Sequence, residues 1–355
     1  MQKKLKIYQD KDTHLRYLKG KTIAIIGYGS QGRAQALNLK DSRVNVIIGL
    51  PKKSKSINIA KKDGFKVFTT EKAPQLGDVI SILVPDHLHQ QIFENQIKKH
   101  LRPNQALIFA HATSIYFKLV QPPKYVDVIL VAPCGPGELL RRGGACPLPF
   151  SGAHTVRQAH RPEQSRRKGL PYKIFTPPLT SFLAIHQDYS KNAKNIGLAY
   201  ARGAGLTGAG IIETTFKDEA IGDLFGEQVV LCGGLSELIK KGFETLVEEG
   251  LSPENAYLEC VHQIDLIVNL IKSYGIAGMY NRISKLAEYG SYLSGKRVIN
   301  KNQMKKILDE IKNGNFIKNW IKEYKGGMKN YKRMKKAYQK HLLEKTGEKM
   351  RKLLR

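Results

Sequence analysis

A chain of 355 residues can bury a large core and is long enough for two domains. Its residues are 41% hydrophobic and hold no apolar run of about 18, which excludes a transmembrane helix. The formal net charge of +29 raises nucleic acid as a partner, but the cations are spread along the whole chain without zinc-finger spacing or an RNP-like aromatic motif. They read instead as a lysine-rich surface that attracts anionic substrates and phosphates.

The first residues, MQKKLKIYQDKDTHL, carry charge but no apolar stretch of the secretory kind. Cys134, Cys146, Cys232 and Cys260 form no C-x-x-C pair and no regular framework, so they read as reduced thiols in a cytoplasm. The short apolar run Ile23–Ile26 then meets Gly27, Gly29 and Gly32. A helical pattern follows through Ala34, Ala36 and Leu37, and a second apolar strand spans Val44–Ile48. Strand, G-x-G-x-x-G, helix, strand is the dinucleotide-binding order. The loop Gly27, Tyr28, Gly29, Ser30, Gln31, Gly32 is therefore expected to cradle a pyrophosphate at a helix N-terminus. Beyond the second strand stand Lys52, Lys53, Ser54 and Ser56, with no acid until Asp63. An enzyme selecting NAD places Asp or Glu there for the ribose hydroxyl, whereas cations and hydroxyls suit a 2′-phosphate, so NADPH is the expected cofactor.

Alternating apolar runs and polar helical stretches continue to about residue 135, as a doubly wound sheet requires. Further strands are expected at Val67-Phe68, Val79–Val84, Ala106–Ala110 and Val126–Ala132. Pro85-Asp86, His111 and Pro133-Cys134 follow such strands and share an edge with the glycine loop. Residues 142 to 180 differ: they hold six of the fifteen prolines, five arginines and one acid, Glu163, and read as a long irregular insertion. A strand at Ser181–His186 and a helix at Asn195–Gly203 restore order. From about 210 long helices take over, giving expected domains of 1–210 and 211–355. One helix carries Val229, Cys232, Leu235, Ile239, Phe243 and Leu246 on one face, with Gly233-Gly234 as its weak point. A second, AYLECVHQIDLIVNLIKSYGIAGM, is so aliphatic that burial inside a helical domain is expected.

Asp223 and Glu227 lie four apart on one helix, and Glu259 stands four before Gln263. Such spacing usually marks a solvated face. Here the acids sit among Leu224, Phe225, Val229, Leu258 and Val261, where a carboxylate needs a partner, and magnesium is one.

Taken together, GYGSQGRAQALNL, VAPCGPG, IETTFKDEAIGDLFGEQVVLCGG, AYLECVHQIDLIVNLI and ISKLAEYGSYLSGKRVI resemble ketol-acid reductoisomerase in its short, class I form. The resemblance runs from about residue 6 to about 350, interrupted by the insertion. It implies a Rossmann-type α/β N-terminal domain followed by an all-helical, knotted C-terminal domain. It also implies conversion of 2-acetolactate or 2-aceto-2-hydroxybutyrate, 2-hydroxy-3-oxo acids, to the dihydroxy acid in valine and isoleucine biosynthesis. NADPH and two magnesium ions serve such enzymes, and a homo-oligomer is expected, with no membrane or nucleic-acid partner. By resemblance Asp223 bridges both metals, Glu227 completes one site, and Glu259 and Gln263 serve the other. Ser284 matches the serine that binds the substrate carboxylate, and His111 the active-site histidine. Pro85, Asp86 and Gly137 fall among the cofactor-binding residues.

This chain departs from the family pattern in two places that touch the chemistry. Cys134 stands where the family has lysine, and a neutral thiol cannot replace the hydrogen bonds of an ammonium. Gln263 stands for a glutamate, keeping an oxygen ligand but removing a charge. A third departure is the insertion, with about 40 residues between Arg141 and Phe182; it is expected to emerge at the sheet edge opposite the cofactor. Two competing readings remain at this level: a metal-independent β-hydroxyacid dehydrogenase, and a catalytically impaired nucleotide-binding homologue.

Overall fold

Ile23, Ala24, Ile25 and Ile26 have no exposed surface, as a central parallel strand covered on both faces requires. The computed structural model describes residues 5–135, 140 and 180–354. Its strands are β1 (Ile7–Tyr8), β2 (Thr22–Ile26), β3 (Asn45–Leu50), β4 (Lys66–Thr69), β5 (Val79–Ile82), β6 (Ala106–Phe109), β7 (Asp127–Pro133), β8 (Ser181–Gln187) and β9 (Ile211–Glu213). They form one sheet in the order β1-β9-β8-β7-β6-β5-β2-β3-β4. Strands β2 to β7 pair in parallel, and the order reverses between β2 and β5, which creates a ligand crevice beyond their carboxyl ends.

Helices α1 (Ser30–Asp41), α2 (Ser56–Lys62), α3 (Ala73–Leu76), α4 (Asp86–Ile92), α5 (Thr113–Tyr116), α6 (Ala193–Gly203) and α7 (Phe216–Phe225) follow in chain order. Alternation along β2 decides which helix meets which face. Ile23 and Ile25 pack with Ala34 and Leu39 of α1 and Ala199 and Tyr200 of α6. Ala24 and Ile26 pack with Ile92, Ile115, Phe216 and Ala220.

Two short strands, β1 and β9, were not foreseen, because two or three residues leave no readable alternation. Strand β9 moves the boundary between the compact units: the first extends to Ala220 and the second begins at Ile221, ten residues beyond the expected division.

The connection from β7 to β8 corrects a second expectation. Strand β8 is antiparallel to β7, pairing Ser181 with Pro133, and the Cys134 N–H donates to Thr180 O at 2.9 Å. The chain thus leaves and returns at the carboxyl edge, beside the glycine loop, not at the opposite edge. The insertion itself, apart from Thr180, lies outside the described residues.

In the second unit the expected long helices are interrupted. Residues Gly226–Leu231 form a π-helical turn between α7 and α8 (Gly233–Glu248). The carbonyls of Gln228 and Val229 occupy the places where Cβ atoms of Gly233 and Gly234 would stand. The glycine pair is therefore a steric requirement of this wider turn, not merely a weak point. Helix α9 (Pro253–Tyr257), a second π turn (Leu258–His262) and α10 (Ile264–Tyr280) replace the expected single helix, and α10 breaks at Gly275, φ 73°. Helix α11 (Lys285–Val298) is followed by α12 (Lys301–Lys312), α13 (Asn315–Lys325), α14 (Lys329–Lys340) and α15 (Leu342–Leu353). Phe243, Ala256, Tyr257 and Met350 form the small core of this unit. Helix α10 is not buried within the chain, contrary to expectation: Leu266, Val268 and Ile276 face outward and only Met279 is buried.

Among the described residues no helix is long and apolar enough to cross a membrane.

Candidate functional site

The three glycines differ in what surrounds them. Gly27 has φ +105°, and a Cβ there would come within 2.7 Å of Leu83 O. A Cβ on Gly32 would strike the Gly27 carbonyl, so the helix lies tight against the turn. At Gly29 nothing lies within 4 Å: space is open where a ligand must approach, and this residue caps α1 without a side-chain hydrogen bond. The open side faces the N–H groups of the first helical turn, which suits a pyrophosphate.

Tyr28 turns away from this opening. Its ring is buried against Phe65 and its hydroxyl donates to Asp63 Oδ2 at 2.8 Å, leaving its backbone for the loop. Burial and the Asp63 carboxylate raise its pKa. Arg33 grips Asp63 with Nε at 2.8 Å and a second nitrogen at 3.1 Å, which holds that carboxyl below its usual range. The first acid after β3 is thus committed to Tyr28 of the glycine loop and Arg33 of α1. Lys52 and Lys53 stand exposed just beyond β3. Ser54 N–H donates to Pro51 O at 2.9 Å and Ser56 N–H to Ser54 Oγ at 3.3 Å, so this turn delivers both hydroxyls to the start of α2.

Gln31 belongs to a buried chain of hydrogen bonds. Ser81 Oγ and Tyr200 Oη are 2.8 Å apart, Tyr200 donates to Gln35 Oε1 at 2.7 Å, Gln35 donates to Gln31 Oε1 at 3.0 Å, and Gln31 donates to Gly135 O at 3.0 Å. The chain ties the glycine loop to the turn after β7, which carries Cys134. Pro85 and Asp86 lie exposed at the start of α4, on the same edge. Gly137 lies outside the described residues.

His111 follows β6 at this edge. Its Nδ1 accepts the Thr113 N–H at 3.1 Å and lies 3.9 Å from Glu219 Oε2, while the Ala112 N–H donates to the same oxygen at 2.9 Å. Glu219, on α7, is 7% exposed. Reading the sequence alone missed it, although it stands one helical turn before Asp223.

Asp223 lies in the last turn of α7 and Glu227 in the first π turn; Glu259 lies in the second, and Gln263 follows it. π turns recur at functional sites, where they re-aim side chains. Gln263 donates its amide to Glu259 Oε2 at 3.0 Å. Among the described residues no group of three or more His, Cys, Asp or Glu side chains is placed to hold a metal ion. Along the chain the oxygen donors come as two pairs, Asp223 with Glu227 and Glu259 with Gln263. Ser284 caps α11, its Oγ accepting the Ala287 N–H at 3.1 Å.

Two family models match this chain: acetohydroxy acid isomeroreductase, NADPH-binding domain, over residues 17–145, and ketol-acid reductoisomerase, C-terminal domain, over 216–355. A solved NADH-preferring ketol-acid reductoisomerase from an uncultured archean is 40% identical, with 98% of this chain and 99% of that one covered and a TM-score of 0.85. A semialdehyde dehydrogenase NAD-binding protein from Cupriavidus necator shares 19% identity over 84% of this chain and 99% of its own, TM-score 0.59. A putative oxidoreductase from Jannaschia sp. CCS1 shares 14% over 82% and 95%, TM-score 0.60; these two are similar in fold alone.

Proposed function

On the premise that this chain belongs to the ketol-acid reductoisomerase family, enzymes of branched-chain amino-acid biosynthesis, we propose that it converts 2-acetolactate or 2-aceto-2-hydroxybutyrate with NADPH and magnesium. The observation that carries this reading is the open space at Gly29, in a unit whose chain continues into the paired carboxylate motifs.

The N-terminus of α1 would hold the pyrophosphate. Lys52, Lys53, Ser54 and Ser56 would hold a 2′-phosphate, a choice supported by the commitment of Asp63 to Arg33. The similar archaeal enzyme prefers NADH, so the ratio of the two affinities is the decisive measurement. Neutralising Lys52 and Lys53 and replacing Ser54 with Ala should weaken NADPH far more than NADH; equal loss would sink the 2′-phosphate reading. Glu219 holds the Ala112 N–H and stands beside His111, which orients the ring at the edge where nicotinamide must lie. Ser284 gives its oxygen to the helix cap and can still donate its proton to a substrate carboxylate.

Among the described residues no group of three or more acidic, His or Cys side chains is gathered for a metal. Asp223 with Glu227, and Glu259 with Gln263, have the oxygen chemistry magnesium takes. We infer that a second copy brings the two sets together, supported by the outward apolar faces of α10 and α11. Two bound magnesium ions would supply polarisation of the ketone and stabilisation of the alkoxide. Asp223→Asn should abolish isomerisation while leaving NADPH affinity nearly intact.

A second reading, a homologue that binds NADPH without turnover, is favoured by Cys134 and Gln263. NADPH oxidation with 2-acetolactate, measured with magnesium and with chelator, separates the two. We place the protein in the cytoplasm, in keeping with the free thiols of Cys232 and Cys260.

A further inference from the structure

His89 is a buried, titratable side chain that the proposed chemistry does not use. It lies on α4 with its side chain 3% exposed and the Phe109 ring at 6.1 Å. Its Nε2 is 2.8 Å from Val84 O and its Nδ1 is 2.7 Å from Ser114 Oγ. A carbonyl oxygen can only accept, so Nε2 must carry a proton. In a neutral ring Nδ1 then accepts, and the Ser114 hydroxyl donates to it. The opposite tautomer would set a lone pair against the Val84 carbonyl.

The two partners belong to different strand ends. Val84 directly precedes Pro85-Asp86 after β5, and Ser114 lies in α5, three residues beyond His111 after β6. We propose that His89, neutral and protonated on Nε2, is a positioning residue that ties the loop after β5 to the turn carrying His111. A packing role alone would be served by any apolar side chain of that size. A buried imidazole costs desolvation, offset only when both nitrogens are satisfied, as they are here.

Three titratable groups face the ring. Asp86 Oδ1 is 3.7 Å from Nε2 and favours protonation, while His111 and His87 oppose it. Burial is the largest effect and holds His89 below the usual histidine range. The tie therefore persists in one form through neutral pH.

This inference names a device serving the site proposed above, and its test separates the two. His89→Gln retains a donor for Val84 O and an acceptor for the Ser114 hydroxyl; His89→Leu retains only volume. In the NADPH-linked assay with 2-acetolactate the Gln variant should keep kcat/KM within about threefold of the parent. The Leu variant should lose on the order of a hundredfold, because displacing the His111 turn misplaces the reacting groups. The Nε2–H tautomer should appear in imidazole ¹⁵N spectra at pH 7, and the His111 resonances should move in the Leu variant but not in the Gln variant. If the parent enzyme shows no turnover, the family chemistry fails while the spectra still test the tie. An Nδ1–H or doubly protonated His89 at pH 7 would overturn it. So would a folded Leu variant with unchanged His111 resonances.

Discussion

Asp63 illustrates how one side chain can mislead at the level of sequence and inform at the level of structure. As the first acid after β3 it is the nearest candidate for a ribose hydroxyl, yet Arg33 and Tyr28 occupy it. Its folded pKa lies below the ordinary 3.8, so its contribution to stability is present above that value and is lost as pH falls through the lower, folded value. Asp63→Asn should cost about 1 kcal/mol at pH 7, a figure kept low because the Arg33 side chain is 51% exposed. The difference between variant and parent should shrink as pH drops below 3.8, read from urea unfolding midpoints at a series of pH values. A gap that stays constant down that range would mean the pair contributes nothing through charge.

At the scale of elements, the π turns and the β7–β8 pairing deserve separate tests. Gly233→Ala or Gly234→Ala pushes a methyl into a π-turn carbonyl and should destabilise the second unit by about 1–3 kcal/mol, as overpacking does. Thermal unfolding followed by circular dichroism reads this directly, and a neutral effect would show that the turn relaxes to ordinary helix. The connection between β7 and β8 begins and ends at the cofactor edge, so its anchors matter more than its length. A deletion within 142–179 that keeps Gly135 and Thr180 should preserve secondary structure and NADPH affinity. Removing Gly135 as well should weaken NADPH binding, because Gln31 loses its acceptor. Equal affinity in both deletions would detach the hydrogen-bond chain from the cofactor.

At the scale of the whole molecule, Leu266, Val268 and Ile276 on α10 and Leu286, Tyr289 and Leu293 on α11 remain outward in a single chain. Apolar surface in that concentration supports the proposed contact with a second copy. Leu286→Asp with Leu293→Asp should give a smaller species by sedimentation, with magnesium-dependent turnover lost and NADPH affinity kept. A monomer that still turns over 2-acetolactate would show that one chain completes the site.

The parallel sheet, the glycine loop and the absence of an acid after β3 were legible along the sequence, because each is a local matter of alternation, spacing or residue type. The carboxylates at Asp223, Glu227 and Glu259 were legible as residues for the same reason. The two π turns that carry Glu227 and Glu259 were not, since they depend on a local widening of the helix that residue spacing does not record. Glu219 was hidden because its meaning lies in the Ala112 N–H, more than a hundred residues away. The direction of β8 was hidden too, for strand polarity is set by pairing with β7 and leaves no mark on Ser181–Gln187 itself. Tertiary structure decided those points, because hydrogen bonds and packing between distant segments depend on where the backbone runs, and local pattern records only which face of an element is apolar.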